Sequence, residues 1–140
     1  MFTSEEIVQA DSSKAASQPH GSRGASVLLV EDDRALRRYL EVLLERAGYK
    51  VISAADGLEA MRVALTSAID IVITDAMMPN LNGYELCRFF RNSPQLCHLP
   101  IVLLSALERK EPKREIEQAD AFLSKPVSAE DLITCLEKLL

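Results

Sequence analysis

From residue 26 onward the chain alternates two kinds of hydrophobic pattern. Short apolar runs, Val27-Leu28-Leu29-Val30, Val51-Ile52, Ile69-Asp70-Ile71-Val72-Ile73, Ile101-Val102-Leu103-Leu104 and Ala121-Phe122-Leu123, are separated by stretches where apolar residues recur every three or four positions. A run that is apolar at consecutive positions puts hydrophobic side chains on both faces of a strand, and only a sheet covered by helices on both sides buries them. The runs therefore predict five strands.

The intervening pattern is helical. Leu36, Leu40, Leu43, Leu44 and Ala47 fall on one stripe of a first helix, and Gly48 follows them as a residue suited to a left-handed stop. Asp56 with Glu59, Asn82 with Glu85, and Ser128 with Asp131 each place a capping side chain three residues ahead of an acid, which starts three further helices. Leu132, Cys135, Leu136 and Leu139 form the packing stripe of the last one. Between Glu108 and Gln118 the chain is highly charged, contains Pro112 and offers only Ile116 as a large apolar residue, so the helix expected there is short or mobile. Strand and helix alternating five times within residues 26–140 specify an α/β fold, a doubly wound parallel sheet with right-handed crossovers flanked by five helices.

Composition narrows this further. Residues 1–25 are rich in Ser, Gln, Ala and Gly, with Ile7-Val8 the only adjacent pair of large aliphatics, and are expected to be a flexible tail ahead of one domain at 26–140. A chain of 140 residues, 48% hydrophobic, buries one substantial core but not two. The net charge of −5, without a basic run, argues against nucleic acid as a partner. No apolar stretch approaches the roughly 18 residues of a membrane span, and no basic start leads into an apolar signal core, so the expected location is the cytoplasm. Cys87, Cys97 and Cys135 are odd in number and lack C-x-x-C spacing, which fits reduced thiols and suggests neither disulfide nor zinc.

In such a fold, ligands sit at the carboxyl edge of the sheet. Glu31-Asp32-Asp33 follow the first strand, Asp75 the third, Ser105 the fourth, and Lys125-Pro126 the fifth. Converging carboxylates repel, and either a raised pKa or a hard divalent cation relieves the repulsion; Mg²⁺ fits a shallow, oxygen-lined site with room for water and phosphate. An acidic triplet alone is more simply a solvated turn that caps the next helix, and Asp33 fits that role. A lone Asp, a small hydroxyl and a Lys on the same edge turn the balance toward phosphoryl transfer. Asp75, at the end of the most uniformly apolar strand, is the candidate nucleophile; Glu31 and Asp32 approach the metal from the neighbouring loop. Lys125 would neutralise a phosphoryl oxygen and the Ser105 hydroxyl would donate to another.

Four motifs, Val30-Glu31-Asp32, the stretch from Asp75 to Gly83, Ser105-Ala106 and Lys125-Pro126, come in an order and spacing that resemble the receiver domain of two-component response regulators over residues 26–140. The resemblance implies a flavodoxin-like receiver fold with strand order 2-1-3-4-5, a phosphoacceptor at Asp75, and Mg²⁺ held by Glu31, Asp32, Asp75 and the backbone carbonyl of Met77. It implies that Ser105 and Phe122 act as the switch pair and that Lys125 completes the site, with Pro126 often preceded by a cis peptide. Phe122 also reads as an ordinary strand residue, and Gly83 as either a turn residue or part of the loop that lets Met78-Pro79 shape the pocket wall.

The implied partners are a histidine kinase or histidine phosphotransfer protein, and a downstream protein met through the fourth helix, fifth strand and fifth helix. Neither His20 nor His98 lies in a phosphodonor box. Nothing after Leu140 serves as an output domain, which leaves either a stand-alone switch or an excised receiver. Three departures stand out. The Ser105 to Lys125 spacing is about two residues short, Gln118 replaces a common Gly, and Met77 and Leu107 put apolar side chains where the family regulates water access, which implies slow self-dephosphorylation. The chain is expected to catalyse only its own phosphorylation and dephosphorylation. A phosphatase with an Asp nucleophile would need a second Asp where Met77 stands; an unphosphorylated interaction scaffold is the other alternative.

Overall fold

The computed structural model describes residues 24–106 and 118–140. In chain order they form β1 (Ser26–Val30), α1 (Arg34–Arg46), β2 (Lys50–Ala54), α2 (Gly57–Thr66), β3 (Ile71–Asp75), α3 (Gly83–Asn92), β4 (Ile101–Ser105), β5 (Ala121–Ser124) and α4 (Ala129–Leu139). All five strands are parallel, in the order β2-β1-β3-β4-β5. Four helices flank them among the described residues. The expected short helix at 108–118 falls almost wholly outside those residues, as does nearly all of the expected tail.

Strand periodicity splits the apolar runs between two cores. Leu28, Val30, Val72, Ile101 and Leu103 point to one face and meet Ala60 and Ala64 of α2 with Leu86, Cys87 and Phe90 of α3. Val27, Leu29, Ile71, Ile73, Val102 and Leu104 point to the other and meet Leu40 and Leu44 of α1 with Leu132 and Leu136 of α4. Each such Leu or Ile, fully buried, contributes about 2 kcal/mol. β1, β3 and β4, apolar on both faces, are almost wholly buried, whereas the edge strands β2 and β5 are only partly so.

The caps act where the sequence places them. The Asp56 side chain accepts from the Glu59 N–H at 2.8 Å, and Ser128 from the Asp131 N–H at 3.0 Å. Asn82 and Glu85 form a reciprocal capping box. α1 stops in a Schellman turn: Gly48 has φ of 100°, its N–H donates to the Glu45 carbonyl, and the Tyr49 N–H donates to the Leu44 carbonyl. The third strand starts two residues later than its apolar run, because Asp70 turns back to accept from the Ser26 N–H at 2.7 Å. Asp75 and Ser105 are the last residues of β3 and β4 rather than the first residues beyond them.

Candidate functional site

The carboxyl ends of β1, β3, β4 and β5 form one edge, and the chemistry-bearing residues gather there. One oxygen from each of Glu31, Asp32 and Asp75 lies within 4.8 Å of the other two. Glu31 and Asp75 are buried and Asp32 stands exposed at the rim. The Lys125 ammonium sits 3.1 Å from Asp75 Oδ2 and 3.2 Å from Glu31 Oε1. Glu31 Oε1, which is buried, has that ammonium as its polar neighbour. Ser105 is buried at the end of β4, and its carbonyl accepts from the Lys125 N–H at 2.7 Å, which ties the end of β4 to the lysine.

Glu31 Oε2 accepts from the Asp33 N–H at 3.1 Å, while Asp33 caps α1 by accepting from the Leu36 N–H at 3.1 Å. Asp33 is therefore the helix cap and lies outside the converging trio. The Asp75 Oδ1 accepts from the Met77 N–H at 3.3 Å, and the Met77 side chain projects outward, 62% exposed. The Lys125-Pro126 peptide is cis. Phe122 is half-buried on the α3 face of β5, its ring centroid 6.4 Å from that of Tyr84. Leu107 lies outside the described residues.

Burial raises the pKa of Glu31 from its ordinary value, against the Asp33 N–H bond, and the nearby Asp75 charge adds to it while Lys125 opposes it. Burial alone would lower Lys125; the hydrogen bond and charge of Asp75, with Glu31, outweigh it and hold the ammonium above its usual value. A site with three converging carboxylates, two of them buried, and one lysine ammonium to offset them carries excess negative charge and suits a hard divalent cation. These residues fit Mg²⁺ in donor type and in convergence.

Two features escaped the sequence reading. A Cβ at Gly83 would meet the Asp75 carbonyl oxygen at 2.4 Å and the Ala76 Cα at 2.9 Å. The glycine is there so that the start of α3 can press on the backbone of Asp75, a packing reason no local turn signal carries. Arg37, one helical turn past the acidic loop, donates from Nη1 to the Glu31 carbonyl at 2.7 Å. In the sequence it is one of several α1 arginines, with nothing to single it out.

Comparison with known proteins agrees with this geometry. The family model described as the response regulator receiver domain matches residues 27–137. Protein PilG of Pseudomonas aeruginosa is 32% identical over 118 residues, spanning 83% of this chain and 87% of that protein. The chemotaxis protein CheY4 of Vibrio cholerae matches in structure with a TM-score of 0.79 at 34% identity, spanning 84% of this chain and 99% of that one. The response regulator TrrA of Thermotoga maritima, solved in complex with Mg²⁺ and BeF, matches with a TM-score of 0.76 at 28% identity, spanning 83% and 99%.

Proposed function

The chain belongs to the response regulator receiver family, and from that premise we propose that Asp75 is the residue that accepts the phosphoryl group, in a site that takes Mg²⁺. Receivers are signalling modules rather than turnover enzymes, and a phosphoacceptor role in two-component signalling follows from the family. The single observation that carries the site assignment is the convergence of three carboxylates within 4.8 Å, with Lys125 bridging two of them.

Glu31, Asp32 and Asp75, with the Met77 carbonyl, would hold the ion. When bound, Mg²⁺ supplies positive charge to the phosphoryl oxygens and offsets the mutual repulsion of the carboxylates. The Mg²⁺ and BeF bound by TrrA support this reading. An Asp75 oxygen attacks the phosphorus of a phosphohistidine on a partner kinase or phosphotransfer protein. The O–P bond forms as the N–P bond breaks, and the imidazole leaves and is reprotonated. Lys125 exchanges its bond to Asp75 for one to a phosphoryl oxygen, and the Ser105 hydroxyl turns toward another.

The Ser105 carbonyl is bonded to the Lys125 N–H just past β5, and on β5 Phe122 packs half-buried beside Tyr84. Inward movement of Phe122 would alter the surface of β5 and α4 and the neighbouring segment, which a downstream protein reads. No helix of the described residues is long and apolar enough to cross a membrane, and we place the exchange with the kinase in the cytoplasm.

The test is intact mass after exposure to acetyl phosphate and Mg²⁺. Gain of one phosphoryl group, absent when Mg²⁺ is chelated before acetyl phosphate is added and absent in Asp75→Asn, supports the reading. No gain in the wild type would favour an unphosphorylated scaffold, and steady phosphate release from small esters would favour a hydrolase.

A further inference from the structure

Every polar handle of Glu31 is held by a different element. Its N–H donates to the Ala54 carbonyl at the end of β2, at 3.1 Å. Oε2 accepts from the Asp33 N–H, and Oε1 faces the Lys125 ammonium. Its carbonyl takes the Arg37 guanidinium at 2.7 Å, a short, charge-assisted bond to a neutral acceptor. A guanidinium on an exposed helix ordinarily seeks a carboxylate. The acid one turn further along α1, Glu41, has its oxygens engaged by the Ser53 hydroxyl and by Arg38 Nη1, so Arg37, half-buried, is directed to the backbone instead.

That carbonyl belongs to the peptide joining Glu31 to Asp32. Fixing it fixes the peptide plane, and with it the point from which the Asp32 side chain departs toward Glu31 and Asp75. Asp32 sits exposed at the rim, where solvent gives it no fixed direction. Its position relative to the other two carboxylates therefore depends on its backbone.

We propose that Arg37 is a positioning residue for Mg²⁺: through the Glu31 carbonyl it sets the peptide plane that brings Asp32 into range of Glu31 and Asp75. The inference rests on the reading of this cluster as the Mg²⁺ site. Arg37 also brings a positive charge near the cluster, and the two effects have opposite signs. Removing the charge lessens repulsion of a cation and strengthens binding. Removing the hydrogen bond loosens the ligand set, and partners that orient ligands from behind are typically worth 10–100-fold in affinity.

The experiment is a Mg²⁺ titration followed by amide chemical shifts on the wild type, Arg37→Met, Arg37→Lys and Arg38→Met, with thermal melts run alongside. Arg37→Met keeps much of the stem's packing but loses both donor and charge, and its affinity falls about tenfold. Arg37→Lys, which can still donate to the carbonyl, stays within about threefold of the wild type. Arg38→Met, which removes an exposed neighbouring charge, does not lower affinity. Affinity that is unchanged or higher in Arg37→Met overturns the proposal, as does an equal fall in Arg38→Met. Should Arg37→Met fail to fold, Arg37→Lys decides, and a tenfold fall there overturns it. A wild type without saturable Mg²⁺ binding sinks the reading of the site itself, and the proposal with it.

Discussion

Gly57 and Gly83 make a matched pair, because each is the first residue of a helix and each follows an Asx cap. Replacing either by Ala brings the same local gain, up to about 1 kcal/mol from a less flexible unfolded chain. They differ in what the new methyl meets. At Gly57 it runs into the Leu81 side chain, 2.5 Å from Cδ2 and 2.9 Å from Cβ and Cγ, so Leu81 shifts together with the short loop between β3 and α3 that carries it. At Gly83 the contacts at 2.4 and 2.9 Å are backbone atoms of Asp75 and Ala76, the first anchored at the end of the buried central strand. Overpacking typically costs 1–3 kcal/mol, and with backbone on both sides the upper end applies, about 3. Set against the local gain, Gly83→Ala should lose about 2 kcal/mol, a fall in Tm of about 8 °C for a domain of this size. Gly57→Ala should stay within about 1 kcal/mol of the wild type. Thermal melts without Mg²⁺ measure both. A Gly83→Ala protein as stable as Gly57→Ala would refute the claim that α3 presses on the phosphoacceptor backbone.

Other expectations follow from the site. Asp32→Ala should weaken Mg²⁺ binding and slow phosphorylation while stability holds or rises, since it relieves carboxylate repulsion; loss of fold would show a structural role for the cluster. The folded-state pKa of Lys125 lies above its usual value, so its contribution to stability is complete below about 10.5 and is lost as pH rises through the higher folded value. The stability gap between wild type and Lys125→Met, read by urea melts without Mg²⁺, should therefore narrow above that pH, and a gap constant to the alkaline limit would count against the pairing. Cys87 is buried with its thiol pushed up to about 12. In the folded protein at mild alkaline pH a thiol reagent should modify exposed Cys97 first and leave Cys87 untouched; early labelling of Cys87 would contradict its place on the buried face of α3. The apolar Met77 side chain at the mouth predicts a long-lived phosphorylated form, and decay within seconds would rule that out.

Much of this architecture is written in local pattern. Consecutive apolar residues such as Val27-Leu28 have to face opposite ways in a strand, and they do, toward the α1/α4 and α2/α3 cores. The caps at Asp56, Asn82 and Ser128 and the stop at Gly48 are short-range hydrogen-bond chemistry, legible without tertiary context. Strand limits were less legible. Ile69 looks like the start of β3, but Asp70 leaves the pattern to bind the Ser26 N–H, a partner 44 residues away. The chemistry at the sheet edge was visible because five residues of unusual type follow apolar runs. The roles of Gly83 and Arg37 were not, because each depends on a backbone atom brought near by folding, and a backbone atom leaves no mark in the sequence.

The proposed chemistry centres on one carboxylate oxygen of Asp75. Borohydride reduces an aspartyl phosphate to homoserine, so treating the acetyl phosphate and Mg²⁺ reaction with borohydride and sequencing the peptides by tandem mass spectrometry reads out where the phosphoryl group had been. We predict homoserine at position 75 alone, and only when Mg²⁺ was present. Homoserine at Asp32 or Asp33 instead, or at no position while the protein still carries phosphate, would contradict the assignment.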